Sequence, residues 1–304
     1  MMLVGRYAPS PTGLMHYGNA MAALASWLDV RREGGRWLLR IEDLDRERCH
    51  PQYVDSLMED LRWLGLEWDN QGSEVFQSER SELYRDALTK LDRQGLIYRC
   101  FCTRAQMASI SSAPQGEQRY GVQPVVNPCR TLTKEEAERR LLRGERASCR
   151  LILPDEPDSY YDCRYGLQSI GSMSKMIQGG DPILQRSDGM WAYQLAVSVD
   201  DMAMGVTLVT RGMDLLESAH IQRFIIGRLG GEPPRYSHIP LYMGADGVRL
   251  AKRNGGNDNL TVSYTRNVRG IKPGNVLAHL AVKLGLLPDT ETYITLNELL
   301  DTTL

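Results

Sequence analysis

The chain has 304 residues, of which 42% are hydrophobic and 24% are charged, and its formal net charge at pH 7 is −2. This composition is that of an ordinary soluble globular protein with room for about two domains. It excludes a global basic field that attracts nucleic acid, so such a partner would bind a local patch. The sequence contains no apolar run near the roughly 18 residues of a membrane helix, and no charged-then-apolar leader. We therefore expect a cytoplasmic protein with no membrane partner, whose six cysteines are thiols or metal ligands.

The segment from Arg6 to Asn19 lies between an apparent strand and an apparent helix, and it contains two prolines, two glycines and a histidine. A strand that ends in a rigid turn and leads into a helix N-terminus presents free backbone N–H groups, which favour an anion such as phosphate. We therefore predict a nucleotide site in this loop. The alternative is a structural loop in which His16 only caps the helix.

The residues after the loop predict a helix from Asn19 to Glu33, which Gly34 and Gly35 end, and a second strand from Arg36 to Ile41. Strand, loop, helix and strand form a βαβ unit, whose loops open at the carboxyl ends of the strands, where such sheets bind ligands. The G-x-G-x-x-G pattern is absent from this first turn, which disfavours a plain dinucleotide-binding fold.

The middle of the chain changes in composition. Between residues 51 and 98, apolar residues recur at helical spacing. From Cys100 to about Asp181 the chain contains five of the six cysteines, a loop-like run, a charged helix predicted at Lys134–Arg143 and a strand at Ser148–Leu153. We interpret this stretch as a subdomain inserted into an α/β domain.

An α/β pattern returns at Ile183–Arg186 and continues to a helix predicted from Glu217 to Leu229. The run Asn254–Asn259 is rich in Gly, Asn and Asp and is expected to be mobile, and a last helix is predicted at Val276–Leu284. The predicted organisation has four parts: the first half of the main domain at 1–99, the insert with a candidate metal site at 100–181, the second half at 182–253, and a short helical part at 254–304.

Five short segments carry a family resemblance through their order along the chain: Pro9–Asn19, Arg40–Asp43, Ala192–Ala196, Arg211–Asp214 and Arg249–Arg253. Over roughly residues 3–255, the chain resembles the glutamyl-tRNA synthetase branch of class I aminoacyl-tRNA synthetases. His16–Asn19 stands where that family has its H-I-G-H-type motif, and Arg249–Arg253 where it has K-M-S-K-S. The resemblance implies an α/β fold, a Rossmann-type parallel catalytic sheet with an inserted α+β subdomain.

The resemblance implies activation of an amino acid by in-line attack of its carboxylate on the α-phosphate of ATP, with charge developing on phosphoryl oxygens. The implied site for ATP, which carries Mg²⁺, consists of His16, Gly18, Asn19 and Lys252. His16 and Lys252 are the expected catalytic residues, because a histidine, a helix N-terminus and an amine can stabilise that charge. Arg249 and Ala251 depart from the usual lysine and serine of the motif, and a solvated loop lysine is the alternative for Lys252.

The resemblance also implies a glutamate site that consists of Arg6, Ala8, Ser10, Glu42, Tyr193 and Arg211. Glu42 is expected to face the ammonium group and Tyr193 to pack beside it, while Arg211 binds the side-chain carboxylate. An arginine fork matches a carboxylate with two parallel hydrogen bonds, which favours an acid over an amide as substrate. Surface salt bridges are the alternative for Glu42 and Arg211.

Cys100 and Cys102 place two thiolates one residue apart, as in some zinc sites, and Cys129 follows downstream. Short members of the family complete such a site with a tyrosine and a third cysteine, and Tyr120 is the nearest candidate here. One Zn²⁺ per chain, bound by these four residues, is therefore implied. Cys149 is another candidate for the fourth ligand, and free buried thiols are the alternative to a metal.

About fifty residues follow Lys252, fewer than a helical region that reads an anticodon needs, so we expect no anticodon-binding domain. In this the chain resembles a short branch of the family, which activates glutamate without tRNA and places it on the base queuosine. The implied partners are glutamate, ATP and the queuosine-carrying anticodon stem-loop of tRNA(Asp), and we expect a monomer. The alternatives are a truncated synthetase that charges a tRNA 3′ end, a catalytically silent tRNA-binding paralogue, and a nucleotidyltransferase of the same fold.

Overall fold

The computed structural model of the protein describes residues 2–103, 105–107, 127–176, 181–244 and 260–302. The strands in these ranges are β1 (Val4–Tyr7), β2 (Arg36–Ile41), β3 (Val75–Phe76), β4 (Ile97–Cys100), β5 (Ser148–Leu151), β6 (Asp158–Asp162), β7 (Gly166–Ile170), β8 (Ile183–Gln185), β9 (Leu208–Gly212) and β10 (Arg235–Ile239). The α-helices there are α1 (Tyr17–Arg31), α2 (Pro51–Leu64), α3 (Ser81–Arg93), α4 (Lys134–Leu142), α5 (Met173–Met176), α6 (Tyr193–Ala203), α7 (Leu216–Arg228), α8 (Val262–Asn267), α9 (Pro273–Lys283) and α10 (Leu296–Asp301). None of the described helices is long and apolar enough to cross a membrane.

The larger sheet of the described structure has the strand order β3-β2-β1-β9-β10-β6-β7. Neighbouring strands are parallel from β3 to β6, and β7 returns antiparallel beside β6. Val4 pairs with Arg36 and Tyr7 pairs with Leu39, so β1 and β2 end at the same edge of the sheet. The predicted βαβ unit is confirmed, and its second strand has the predicted bounds.

Helix α1 begins at Tyr17, two residues before the predicted start, because His16 caps it. The ring Nδ1 of His16 accepts the N–H of Asn19 and satisfies one of the donors that the first turn leaves unpaired. The helix ends at Arg31, and Gly34 follows with a φ of +63°, a left-handed conformation that glycine adopts without strain.

Helices cover both faces of the larger sheet. On one face, Gly5 of β1 lies so close to Val30 of α1 that a Cβ at this glycine would overlap the valine side chain. Leu208 of β9 belongs to the same apolar cluster, together with residues of α2 and α9. The next residue, Val209, points to the opposite face and packs with Ala219 of α7, as the alternation of a strand requires.

A smaller antiparallel sheet has the order β4-β5-β8. Its β8 lies beyond the predicted insert at 100–181, whereas β6 and β7 lie within those bounds and join the larger sheet. The ring of Tyr160 on β6 packs edge-on against Tyr236 of β10 with centroids 5.6 Å apart, a contact that stabilises this pairing. Sheet membership therefore crosses the predicted borders of the insert, which composition alone located.

The part of the chain beyond residue 254 contributes α8, α9 and α10. Helix α9 begins at Pro273 rather than at the predicted Val276, because proline suits the first helical turn. Helix α10 was not predicted, and it is held by a capping box of Thr295 and Glu298. The run Asn254–Asn259, predicted to be mobile, lies outside the described residues.

Candidate active site

A cavity of about 640 Å³ opens at the edge of the larger sheet, beyond the carboxyl ends of β1, β2, β9 and β10. The first turns of α1 and α6 also contribute to its wall. Nine residues that the sequence singled out line this cavity: Arg6, Ala8, Ser10, His16, Gly18, Asn19, Glu42, Tyr193 and Arg211. Lys252, with Arg249 and Ala251 beside it, lies outside the described residues.

The N-terminus of α1 forms one end of the cavity. Nδ1 of His16 accepts the N–H of Asn19 over 3.3 Å, so the neutral ring carries its proton on Nε2. The N–H groups of Tyr17 and Gly18 belong to the first helical turn, where intrahelical acceptors are missing, and Gly18 lines the cavity. His16 therefore both caps the helix and lines the cavity, and this end offers donors to an anion.

Residues 245–259, which include Lys252, are flanked on both sides by residues at this end of the cavity. Tyr242, shortly before the segment, lines the cavity. Thr261, shortly after it, forms an isolated β-bridge with His16. The chain therefore leaves and re-enters the described structure beside the N-terminus of α1.

A buried ion-pair network lies behind another part of the wall. Arg40 has no exposed surface; its Nη1 lies 2.6 Å from Oδ1 of Asp201, and its Nη2 lies 3.2 Å from Oε1 of Glu42. Arg6 contacts the same oxygen of Asp201 through its Nε, at 3.1 Å. Burial raises the pKa of the Glu42 carboxyl, and the charges of Arg40 and Arg6 oppose this shift. The network thus places the Glu42 carboxyl group at the cavity wall and surrounds it with cations.

Asp200 forms a further layer of this network, which sequence reasoning missed. Its carboxylate accepts hydrogen bonds from Arg80 at 2.6 Å, Gln77 at 2.8 Å and the hydroxyl of Tyr84 at 2.8 Å, and it lies 3.9 Å from Nε of Arg40. The apolar pattern of α6 predicts only a buried helix. An Asp-Asp pair inside such a helix is the signal that could have indicated buried partners for these carboxylates.

Arg211 is held on three sides. Its Nε donates to Nε2 of His238 over 3.1 Å, its Nη1 to Oε1 of Gln222 over 2.7 Å, and its Nη2 to the carbonyl of Leu215 over 3.0 Å. The guanidinium carbon also lies 5.2 Å from the ring centroid of Tyr236. A guanidinium carries five N–H donors, so within the described structure these three bonds leave two donors for a ligand.

Tyr193, the first residue of α6, lies close enough to Glu42 and Arg211 to interact electrostatically with both. Burial raises the pKa of its hydroxyl, with Arg211 opposing the shift and Glu42 adding to it. The wall therefore combines a carboxyl group, an aromatic ring and the guanidinium groups of Arg6 and Arg211. Such a set is complementary to an amino acid with an acidic side chain.

Three of the predicted metal ligands lie together. The sulfur atoms of Cys100, Cys102 and Cys129 all lie within 4.8 Å of one another, and those of Cys102 and Cys129 are 3.6 Å apart. Tetrahedral zinc with thiolate bonds of about 2.3 Å places its sulfur ligands about 3.8 Å apart, so these three thiols fit zinc. The side-chain amide of Asn127 donates to Cys100 over 3.2 Å and accepts the N–H of Cys129 over 2.9 Å, which orients the ligands.

The fourth ligand is not among the residues grouped with these thiols. Cys149, the alternative candidate, packs with Leu151 and Leu184 in a different apolar cluster and contacts the side chain of Arg99. Its proposed place in the metal site is therefore wrong, because β5 carries it to the other cluster. Tyr120 lies outside the described residues.

Comparison with known protein families gives a match over nearly the whole chain. The family profile described as tRNA synthetases class I (E and Q), catalytic domain, matches residues 2–292. A Glutamyl-Q tRNA(Asp) synthetase from Symbiobacterium thermophilum is 46% identical over 297 residues, which are 95% of this chain and 89% of that protein. A protein of the same name from Nitratidesulfovibrio vulgaris is 43% identical over 295 residues, which are 95% of this chain and 88% of that protein.

Solved structures show the same fold. The glutamate-tRNA synthetase of Elizabethkingia anophelis is similar with a TM-score of 0.82 at 24% sequence identity, and the match covers 100% of this chain and 66% of that chain. A glutamate tRNA ligase from Elizabethkingia meningosepticum, solved in complex with its amino acid, gives a TM-score of 0.81 over 65% of its chain. This chain thus spans just under two thirds of those two structures. The predicted α/β fold class is confirmed.

Proposed function

Because this chain belongs to the class I tRNA synthetases of the glutamate and glutamine type, with relatives named Glutamyl-Q tRNA(Asp) synthetase, we propose a specific two-step reaction for it. It activates glutamate with ATP in the absence of tRNA, and it transfers the glutamyl group to queuosine in the anticodon of tRNA(Asp). The observation that carries the proposal is one cavity whose wall combines Glu42, Tyr193 and Arg211 with the N-terminus of α1.

Glutamate binds through both of its ends. The Glu42 carboxyl group, which Arg40 holds at 3.2 Å, pairs with the substrate ammonium group, and Arg211 uses its two remaining donors for the side-chain carboxylate. Arg6, Ala8 and Ser10 line the same wall along the end of β1. Glutamine lacks the second carboxylate oxygen and the charge, so the site favours the acid.

In the first step, an oxygen of the glutamate α-carboxylate attacks the α-phosphorus of ATP, and pyrophosphate leaves with the electron pair of the broken P–O bond. His16 and the N–H groups at the start of α1 stabilise the negative charge on the phosphoryl oxygens. Lys252 adds a cation, and the nearest described residues on either side of its segment include Tyr242, which lines the cavity, and Thr261, which pairs with His16. Mg²⁺ arrives with the triphosphate and neutralises part of its charge.

In the second step, a hydroxyl of the queuosine ring attacks the carbonyl carbon of glutamyl-adenylate, and AMP leaves. This acyl transfer depends on the orientation of the two reactants more than on a dedicated base. Because the adenylate is already an activated mixed anhydride of a carboxylic and a phosphoric acid, the protein needs to hold the hydroxyl near the carbonyl and to exclude water.

We expect glutamate-dependent ATP–pyrophosphate exchange by this protein without any tRNA. The reason is that both substrates of the first step have complementary groups in the same cavity. Exchange without glutamate dependence points to a nucleotidyltransferase. No exchange, under conditions in which a control synthetase is active, contradicts the proposal and favours a catalytically silent tRNA-binding protein.

We propose further that Cys100, Cys102 and Cys129 bind one Zn²⁺ with a structural role, with Tyr120 as the candidate fourth ligand. Purified protein is expected to contain about one zinc ion per chain, and Cys102→Ser to lose most of it, as measured by metal analysis. Cys163→Ser is the matched control, because that cysteine is exposed and lies outside the three-thiol group. Equal zinc content in both variants rules out the site.

A further inference from the structure

We propose that His238 is a positioning residue for glutamate selection: with Asp162 behind it, it holds the guanidinium of Arg211 in the orientation that binds the substrate side-chain carboxylate. The inference rests on the proposed glutamate activation and adds a residue that no sequence motif indicated. Asp162 ends β6 and His238 lies on β10, and the pairing of these strands brings the two residues together behind the cavity wall.

Asp162 and His238 form a fully buried pair. Nδ1 of His238 lies 2.6 Å from Oδ2 of Asp162, and the backbone N–H of His238 donates to the same oxygen over 3.2 Å. The N–H groups of Arg164 and Tyr165 each donate to Oδ1 of Asp162 over 3.0 Å. The turn between β6 and β7 therefore fixes the carboxylate independently of the histidine.

This arrangement determines the tautomer of His238. The carboxylate of Asp162 accepts a hydrogen bond, so Nδ1 carries the proton and Nε2 presents a lone pair. That lone pair faces Nε of Arg211 at 3.1 Å, and a guanidinium can only donate. Burial lowers the pKa of His238, and the charge of Arg211 acts in the same direction, against the effect of Asp162. His238 is therefore a neutral acceptor at neutral pH.

The hydrogen bond at Nε controls the orientation of the guanidinium group of Arg211 towards the substrate carboxylate. Nε is the nitrogen nearest the aliphatic part of the side chain, so its hydrogen bond sets the plane of the whole guanidinium group. Two parallel bonds to a carboxylate form only when that plane contains the carboxylate oxygens. Gln222 and Leu215 accept hydrogen bonds from the Nη atoms, whereas Nε donates to His238. His238 thus fixes the orientation of the guanidinium plane of Arg211.

Protonation of His238 reverses this effect. Below its pKa, a proton on Nε2 replaces the acceptor with a donor that faces Arg211, so the bond is lost and two positive charges adjoin. The groups around His238 are the carboxylate of Asp162 from β6, Arg211 from β9, the carbonyl of Leu215 and the stacked ring of Tyr236. The affinity for glutamate is therefore expected to decrease towards acid pH.

His238→Gln and His238→Asn are a matched pair, because both introduce a neutral amide. The Gln amide extends to the level of Nε2 and can accept from Arg211, whereas the Asn amide ends at the level of Nδ1 and reaches only Asp162. In ATP–pyrophosphate exchange at about pH 7.5, we expect His238→Gln to keep the KM for glutamate within about threefold of the parent protein. We expect His238→Asn to raise it roughly tenfold and to leave the KM for ATP unchanged.

The pH profile gives a second readout that a purely structural role does not change. As the pH falls from about 7.5 towards the acid limit at which the protein stays folded, the KM for glutamate is expected to rise less in His238→Gln than in the parent protein, because an amide does not titrate. Glu42 is present in both proteins, so its contribution to the pH dependence of the KM for glutamate is the same in each. His238→Gln carries this test alone if His238→Asn does not fold. An unchanged pH profile, or equal KM values for the two variants, overturns the proposal.

The failure of the proposed function has a different signature. If the parent protein shows no glutamate-dependent exchange at any pH, the proposed activation of glutamate is wrong, and the proposed role of His238 is wrong as well. If the parent protein shows exchange and the variants of His238 do not differ as expected, only the positioning role is wrong.

Discussion

Arg211→Gln is expected to raise the KM for glutamate in ATP–pyrophosphate exchange by more than about 30-fold, which corresponds to about 2 kcal/mol. Glutamine cannot supply the two parallel, charge-assisted hydrogen bonds that a guanidinium makes with a carboxylate. Arg211 is 5% exposed and lines the cavity, and its bonds to His238, Gln222 and Leu215 leave two of its five donors for a ligand. The KM for ATP is expected to change little.

Arg31→Gln is the matched control for this variant. Arg31 is a partly buried arginine in an ion pair with Asp69 at 2.9 Å, and it does not line the cavity. Urea denaturation of both variants separates a loss of binding from a loss of stability, because Arg211 also has partners inside the protein. A KM for glutamate within about twofold of the parent value removes Arg211 from the glutamate site.

Asp201→Asn is expected to lower the free energy of unfolding by at least about 3 kcal/mol, as measured by urea denaturation. Oδ1 of Asp201 accepts hydrogen bonds from Arg40 at 2.6 Å and from Arg6 at 3.1 Å, and the side chains of all three residues are at most 5% exposed. A neutral amide leaves these buried guanidinium groups with less compensating charge. Because Arg40 also holds Glu42, the KM for glutamate is expected to rise as well.

Asp45→Asn is the control, because Asp45 forms an ion pair of the same length with side chains that are far more exposed. Asp45 pairs with Arg48 at 2.6 Å, but the two side chains are 27% and 62% exposed, so the loss is expected to stay below about 1 kcal/mol. Equal losses for Asp201→Asn and Asp45→Asn contradict the role of burial.

The stabilisation that Asp201 provides is also expected to depend on pH. Although burial alone raises it, Arg6 and Arg40 hold the pKa of Asp201 below its ordinary value. Its ionised form therefore stabilises the folded state at neutral pH, and this contribution is lost as the pH falls through the folded-state pKa. The difference in stability between the parent protein and Asp201→Asn is expected to narrow only below about pH 4.

The elements that could be predicted from the sequence are those with strong local signals. Strand β2 has the predicted bounds Arg36–Ile41, because paired glycines precede it and charged residues follow. The start of α1 was misplaced by two residues, since capping by a histidine is less regular than capping by serine or aspartate. The membership of β6 and β7 in the larger sheet could not be predicted, because it depends on the pairing of β6 with β10, which lies far from them in sequence.

The residues of the site also divide into those that the sequence could indicate and those that depend on contacts between distant strands. Arg6, Glu42 and Arg211 could be indicated from the sequence because the family resemblance implies them, and the structure places all three in the wall of the cavity. Asp162 and His238 lie 76 residues apart, and only the register of β6 beside β10 brings them together. Local patterns carry no information on such a contact, so the sequence could not indicate this pair.

Attachment of radiolabelled glutamate to tRNA tests the central claim most directly. The protein is incubated with ATP, labelled glutamate and, in separate reactions, tRNA(Asp) that carries queuosine, tRNA(Asp) that lacks it, or tRNA(Glu), and the label is located after nuclease digestion. The account predicts label in the anticodon fragment of queuosine-containing tRNA(Asp), and none in tRNA(Asp) without queuosine. Label on the 3′-terminal adenosine of tRNA(Glu), independent of queuosine, contradicts it.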